Sequence, residues 1–597
     1  MRIPIRFLAG LFFLLAFSAA SLYSATPGSG TLAAPANGST STVSWSGGPI
    51  TGAGSDNTTC TQYTCDTFAL TLAVPASFYS TNPNYAVHVQ ISWSNQLNDF
   101  DLYLLDSSGN VVGSSTQGPI GTSEFIDAGQ LPPGNYSVVI VASSVVNSTY
   151  SGSADVSPEP TSPSGRARYR RADFSFATAY ELQRPSDPEN STSAGVLVLD
   201  QDVEPRILSD ALGNLYVAAI QGVPGGSDVW KSSDGGQTFT YLGEPDGAQM
   251  GSSLAPGEGV GGGDEDLAIG TSGNVYVTSL WLGAATQSSS FDGGTLWSNN
   301  PAGSDIPGDD RQWIASQGDK ILYMTYKQLG ADLNGTDSII VVKSFDGGLT
   351  FPQVSQATTA ELGVQPGDQG NIVVDPNNGN VYTVFIDQNN SNQVYMARST
   401  DGGLTWILKL VYQAATQANL ANVFPIIAAD RGSNLHIVFS DGHSIYLTSS
   451  ANQGASWTLP VRVSNGASTK TALQPWVDAE SSGKLNITWI GTPSSDSMST
   501  TAQWQVFLAQ TQNAFANVPV FTEMPATGVM HVGPVCVNGL GCASGTRNLA
   551  EYFVTQVNLS GNAMIVYPDD KNSNLPSGAA RTWFIQQKGG STIISPN

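Results

Sequence analysis

An all-β chain in two parts, a small sandwich followed by a ring of four-stranded sheets, is predicted by three observations. One short phrase returns five times, as Ser232 to Phe239, Ser290 to Trp297, Ser344 to Phe351, Ser399 to Trp406 and Ser450 to Trp457. Seven strand-turn-strand units accompany it, among them "EPRILSDALGNLYVAA", "DRQWIASQGDKILYMTY" and "EYFVTQVNLSGNAMIVY". The 64 Gly and 33 Pro of 597 residues supply turns, and helical periodicity is scarce. Units that recur at roughly 40 to 50 residues, each too small to bury a face alone, predict blades stacked around an axis. Seven blades are favoured and six are the alternative.

The elements follow in order. Residues 1–25 read as an export signal, with Arg2 and Arg6 ahead of the apolar run from Phe7 to Ala20. That run is shorter than the roughly 20 residues a membrane span needs, so a secreted chain, extracellular or periplasmic, is expected. With 23 Lys+Arg against 47 Asp+Glu, the formal charge of −24 excludes nucleic acid and anionic membrane as natural partners. The four cysteines form two local pairs, Cys60 with Cys65 and Cys536 with Cys542, and an exported chain favours disulfides over metal at these spacings.

Alternating stretches such as "YAVHVQISW" and "GNYSVVIVA" predict a sandwich over 43–145. Asp99 and Asp101 lie two apart on one of its strands, so both carboxylates share a face and could hold calcium; solvated edge residues are the alternative. Apart from that calcium no cofactor is implied. A polar, proline-rich linker is expected over 146–171, ending in "RARYRR", and the propeller over 172–597. Its last unit lacks the recurring phrase, so a strand from "FSFATAYEL" or "GVLVLD" is expected to complete the ring and remove an open edge.

The phrase "NDFDLYLLDSSGNVVGSS" with "GNYSVVIVA" resembles the bacterial pre-peptidase C-terminal domain, an accessory module of secreted enzymes. The five-fold phrase resembles the Asp-box, or BNR repeat, of sialidase-type β-propellers. In such a turn Asp234, Asp292, Asp346 and Asp401 accept backbone N–H bonds and have a structural role, which the fifth copy keeps with Asn452.

If the first strand of each blade is innermost, the repeated turns lie on one face. Inner-strand starts and the loops joining second to third strands then gather on the other, where a ligand would bind. The first group includes Arg206, Asp264, Glu265, Asp310, Arg311 and Tyr552, and the second includes Trp281 and His443. Arg547 rides on a disulfide-stapled insertion over 522–549 that joins the last two blades on this face.

The sialidase resemblance implies an Arg-Ile-Pro start, an arginine triad for a substrate carboxylate, and a tyrosine nucleophile with an acidic helper. Arg206-Ile207 matches the first, with Leu208 in place of proline. Asn371, Pro425 and Pro475 stand where further arginines would be, which leaves Arg311 and Arg547 as substitutes. Tyr552 takes the nucleophile's place, with Asp264, Glu265 or Asp310 to accept its proton; the alternative is that it packs in the channel wall or hydrogen-bonds a neighbouring blade. Together these imply a propeller that acts on or binds extracellular glycan or glycoprotein, as a glycoside hydrolase of exo-sialidase type; the alternative is a non-catalytic propeller that binds glycan or protein.

Overall fold

The computed structural model describes residues 25–594 except 37–38, 55, 62, 83–84, 96–97, 116–122, 129, 159–166, 172–173, 185–200, 223–224, 248–260, 282, 305–307, 331–335, 359–363, 466–468, 517 and 574–578. The export signal therefore lies outside the described residues, apart from Ala25, and so does "GVLVLD". No helix among the described residues is long and apolar enough to cross a membrane. The chain divides into two compact units, Met1–Glu159 and Pro160–Asn597.

The first unit is a two-sheet sandwich organised on one long strand, Gly134–Pro158. Its first half pairs with Cys65–Ala73 and Asp99–Leu105, and its second half with Ser41–Gly52 and Tyr85–Trp93. Alternate residues of these strands, including Phe68, Leu70, Val87, Val89, Leu102 and Ile140, fill the space between the sheets, where Trp45 stacks on Phe68 at 4.1 Å.

Here the expected boundaries shift. The segment after 145 is strand rather than linker, because Tyr150, Ala154 and Val156 continue the buried alternation through a run of small polar residues. At the other end Ser29–Ala33 joins the sheet in parallel with Cys65–Ala73. Arg168–Arg171, expected to end a solvated linker, instead forms a parallel strand on Val520–Pro525 in the second unit.

The second unit is a ring of seven sheets. Its inner strands are Val203–Ser209, Glu265–Ile269, Asp309–Gln317, Pro366–Val374, Ile426–Ala429, Thr471–Ala479 and Val554–Val557. Each of the first six blades runs outward through four consecutive strands. The seventh has three of its own, and its fourth comes from the N-terminal stretch: Ser175–Phe176 and Tyr180–Glu181 pair with Arg581–Gly589. One of the two expected stretches thus closes the ring.

The recurring phrase forms a closed turn. In its third copy Asp346 Oδ1 accepts from Ser344 Oγ at 2.8 Å and from the Thr350 amide at 2.9 Å, Oδ2 accepts from the Thr350 hydroxyl at 2.7 Å, and Ser344 Oγ accepts from the Gly348 amide. Gly347 and Gly348 both have positive φ, so the phrase needs glycine there. In the fifth copy Asn452 reproduces the pattern by accepting from the Ser456 amide and donating to its hydroxyl. Asp346→Ala should cost about 1 kcal/mol, comparable to losing a helix cap, with mouth function intact. A thermal melt beside a ligand-binding assay checks both.

Candidate functional site

At the inner-strand starts the backbone departs from regular strand. Glu204, Arg311, Gln474 and Ala550 all have φ between 45° and 54°, and the pairing register slips at Val203/Arg206, Asp310/Trp313 and Leu473/Trp476. Left-handed non-glycine residues are costly and persist where the surroundings hold them. Each slip re-aims the side chains that follow it.

What they build is a plug across the channel. Tyr552 packs between Trp313 at 5.1 Å and Trp476 at 5.8 Å, and Phe424 meets Trp313 edge-on. The Arg311 guanidinium lies over Trp313, Tyr552 and Phe424 at 4.0, 4.5 and 5.5 Å. It donates to Glu204 Oε2 at 2.6 Å and to the Glu265 carbonyl at 3.0 Å. Arg206 lies over Trp476 at 4.7 Å, 3.4 Å from Asp266. Beyond it the channel continues as a cavity of about 380 Å³ between the later halves of the inner strands.

On the other side of the plug is the mouth. Asp264 lies 3.8 Å from Arg311, Glu551 accepts from Arg547 at 2.5 Å, and the half-exposed Asp310 lies 3.7 Å from Lys327. Asp368 belongs to the same field: burial raises its carboxyl to about 6, Lys327 opposes the rise, and Glu551 and Asp310 add to it. Burial likewise raises Asp264 and Glu551 against the pull of Arg311 and Arg547 respectively.

The insertion that carries Arg547 is stapled by the Cys536–Cys542 disulfide and tied to blade seven, where both Asp570 oxygens lie 2.9 Å from His531 Nδ1 and one accepts from Asn548. The second disulfide, Cys60–Cys65, is in the sandwich.

The residues singled out from sequence divide accordingly. Asp264, Glu265, Asp310, Arg311, Arg547 and Tyr552 come together, whereas Trp281 ends a hairpin strand opposite Ala284 and His443 sits exposed in a turn capped by Asp441. For Tyr552 the packing alternative holds and the nucleophile reading is corrected. It is 1% exposed, and its hydroxyl donates to the Glu265 carbonyl at 2.9 Å. Burial and the neighbouring Glu265 raise the phenol well above its ordinary value. A phenol so sealed is no nucleophile for a ligand in the mouth.

Glu265 is no helper either, since its carboxyl is fully buried, and burial, then Asp266, raises it well above the usual carboxylate range. The expected arginine substitutes are also spent: Arg311 on Glu204 and the rings, Arg547 on Glu551. Arg206 lies across the plug from them.

Asp99 and Asp101 are buried in the sandwich, where burial and Asp99 raise Asp101 to about 6. No group of three or more His, Cys, Asp or Glu among the described residues is arranged to hold a metal ion.

Two features escaped sequence reasoning. Trp313 and Trp476 follow the slips in "DRQW" and "QPW", a signal visible only once the slips are known. The other looks catalytic but is sealed. His436 contacts Ser449 Oγ at 2.8 Å and Asp430 at 3.0 Å, all three are at most 2% exposed, and Asp430 also accepts from the Gly483 amide of the next blade. This trio bolts blade five to blade six.

No family model and no curated protein matches the chain. Solved structures do show similarity. A Dyadobacter fermentans protein described as of unknown function aligns at TM-score 0.38 and 11% identity over 70% of this chain and 99% of its own. An α-L-arabinofuranosidase of Fusarium graminearum aligns at TM-score 0.35 and 18% identity over 53% and 93%. An intramolecular trans-sialidase of Ruminococcus gnavus aligns at 0.36 and 13% over 67% and 96%. Likeness at this level assigns no activity to the chain.

Proposed function

We propose that this is a secreted, sialidase-like propeller that acts on extracellular glycans at its mouth, as a glycoside hydrolase using paired carboxyl groups rather than a tyrosine nucleophile. The observation that carries the reading is Asp368, whose carboxyl burial raises to about 6 with the charges of Glu551 and Asp310 adding to the rise. Glycoside hydrolysis needs one carboxyl protonated to give a proton to the leaving oxygen and another ionised to activate water or attack carbon. In this reading Asp368 is the acid, and Asp310 or Glu551 is its ionised partner.

An acid must be protonated to act, so activity should fall as pH rises through about 6. Asp368→Asn should lose about 10²-fold or more and abolish that limb of the profile. Chromogenic glycosides and polymeric glycans, assayed from about pH 4 to 8, on either side of that value, test both.

A second reading, a non-catalytic glycan or protein receptor, is favoured by the Arg311–Glu204 and Arg547–Glu551 pairs, which brace the mouth and leave Tyr552 sealed. Binding without turnover on every substrate would decide for it.

A further inference from the structure

We infer that the export signal is removed by hydrolysis of the Ser24–Ala25 bond, and that the α-ammonium this creates on Ala25 is the counter-ion of Asp66 in the sandwich core. This rests on the export reading of residues 1–25 and moves its end by one residue.

The first ground is a buried acid in a stretch of chain without cationic side chains. Asp66 is 2% exposed on the strand Cys65–Ala73, yet residues 7–165 contain no Lys or Arg. The one histidine of the sandwich, His88, faces Asp155 at 3.2 Å. A carboxylate taken out of water is costly unless it is both hydrogen-bonded and paired. The remaining source of fixed positive charge in the sandwich is a chain terminus.

The second ground is geometric. Ala25 is 3% exposed, and its backbone nitrogen donates to Asp66 Oδ1 at 2.8 Å. That oxygen also accepts from the Thr67 amide at 2.7 Å, and Oδ2 accepts from the Tyr150 hydroxyl at 2.7 Å. Gly47 makes the room, since a Cβ there would run into Oδ2 and the Tyr150 ring. Thr26 and Ser46 exchange backbone hydrogen bonds at 2.8 and 3.0 Å, which pins the residue after Ala25. The nitrogen aimed at this carboxylate is therefore the one at which the export reading ends. Uncut, it is a neutral amide; cut, it is an ammonium, whose hydrogen bond to a carboxylate is charge-assisted and about twice as strong. The hydrolysis consumes one water: the amide C–N bond breaks, the hydroxyl goes to the Ser24 carbonyl carbon and the proton to nitrogen, leaving a Ser24 carboxylate and an Ala25 ammonium. An export-signal peptidase catalyses it before the sandwich folds, and the small Ser24 suits the residue before the cut. The run Ser18-Ala19-Ala20 fits such an enzyme by pattern alone, but a cut there leaves Ala25 an amide.

Intact mass and N-terminal sequencing of the full chain exported from a bacterial host should find Ala25 first. Chains that begin at Ala25, Ser24 and Ser21 and run to the C-terminus, each released from a cleavable fusion, are then compared by calorimetry at about pH 6, where a terminal amine is charged. The sandwich transition of the Ala25 chain should lie about 5 °C or more above those of the other two, and Asp66→Asn should abolish that difference. Should the Asp66→Asn chain fail to fold, acetylation of the Ala25 nitrogen removes the charge at the other end of the pair and should cost the same shift. A cut anywhere else, such as after Ala20, overturns the assigned bond while leaving the export reading. Retention of residues 1–24 removes the export reading and the cut with it. Equal melting of the three chains overturns the pairing with Asp66.

Discussion

Arg311→Ala should destabilise the propeller by about 3–5 kcal/mol, the cost of stranding one member of a buried ion pair. Its side chain is 5% exposed and its partner Glu204 is 1% exposed, so removing the guanidinium leaves a buried carboxyl with the Glu551 amide, at 3.1 Å, and no opposite charge beside it. The same change empties the space over Trp313, Tyr552 and Phe424, adding a cavity to the electrostatic loss. Guanidinium denaturation followed by tryptophan fluorescence measures it. The double variant Arg311→Met with Glu204→Gln should recover at least half of the loss, because both charges go together. A single variant within about 1 kcal/mol of the wild type would mean that the plug does not depend on this pair.

The other large effect concerns ring closure. A chain beginning at Gln201 should fail to unfold cooperatively and should be cut rapidly by protease, whereas one beginning at Phe174 should resist. The difference is the stretch that completes blade seven. It brings the paired strands and the buried Leu182, and Tyr180 donates to the Gly236 carbonyl. The Gln183 carbonyl accepts from the Trp230 indole at 2.9 Å, and Arg184 lies 3.4 Å from both Asp202 and Asp228, two fully buried carboxyls. Without the stretch the edge of Arg581–Gly589 is bare, a site for aggregation. A synthetic 174–184 peptide added to the shorter chain should restore part of its protease resistance. Equal resistance of the two chains would show that closure contributes little.

The ring was legible in the sequence because each blade repeats a local hairpin and a local turn, and local pattern is what sequence reading captures. The pairs Cys60–Cys65 and Cys536–Cys542 were legible for the same reason. The mouth was legible as a neighbourhood but not as a mechanism. Strict alternation assigns each residue of an inner strand to a face, yet Arg311 and Gln474 take positive φ and the register slips beside both. After such a slip the parity of every later side chain reverses, which is how Trp313 and Trp476 come to fill the channel with Tyr552. The linker's late start has another cause: Ser, Gly and Thr are weak strand signals, and only the pairing of 146–158 with Ser41–Gly52 and Tyr85–Trp93 makes them strand.

The closing strand also imposes an order in time. Tyr180 pairs with Phe584, ~400 residues later in the chain, so a segment synthesised early must wait for the last strand before it has a partner. Until then blades one to six can form from neighbours in sequence, but the ring stays an open arc with a bare edge at each end. The final contact carries the largest loop-closure cost in the molecule. Folding is thereby made to finish at the last strand, and a chain that stops short even by its last hairpin has no seventh sheet for its waiting strand to join.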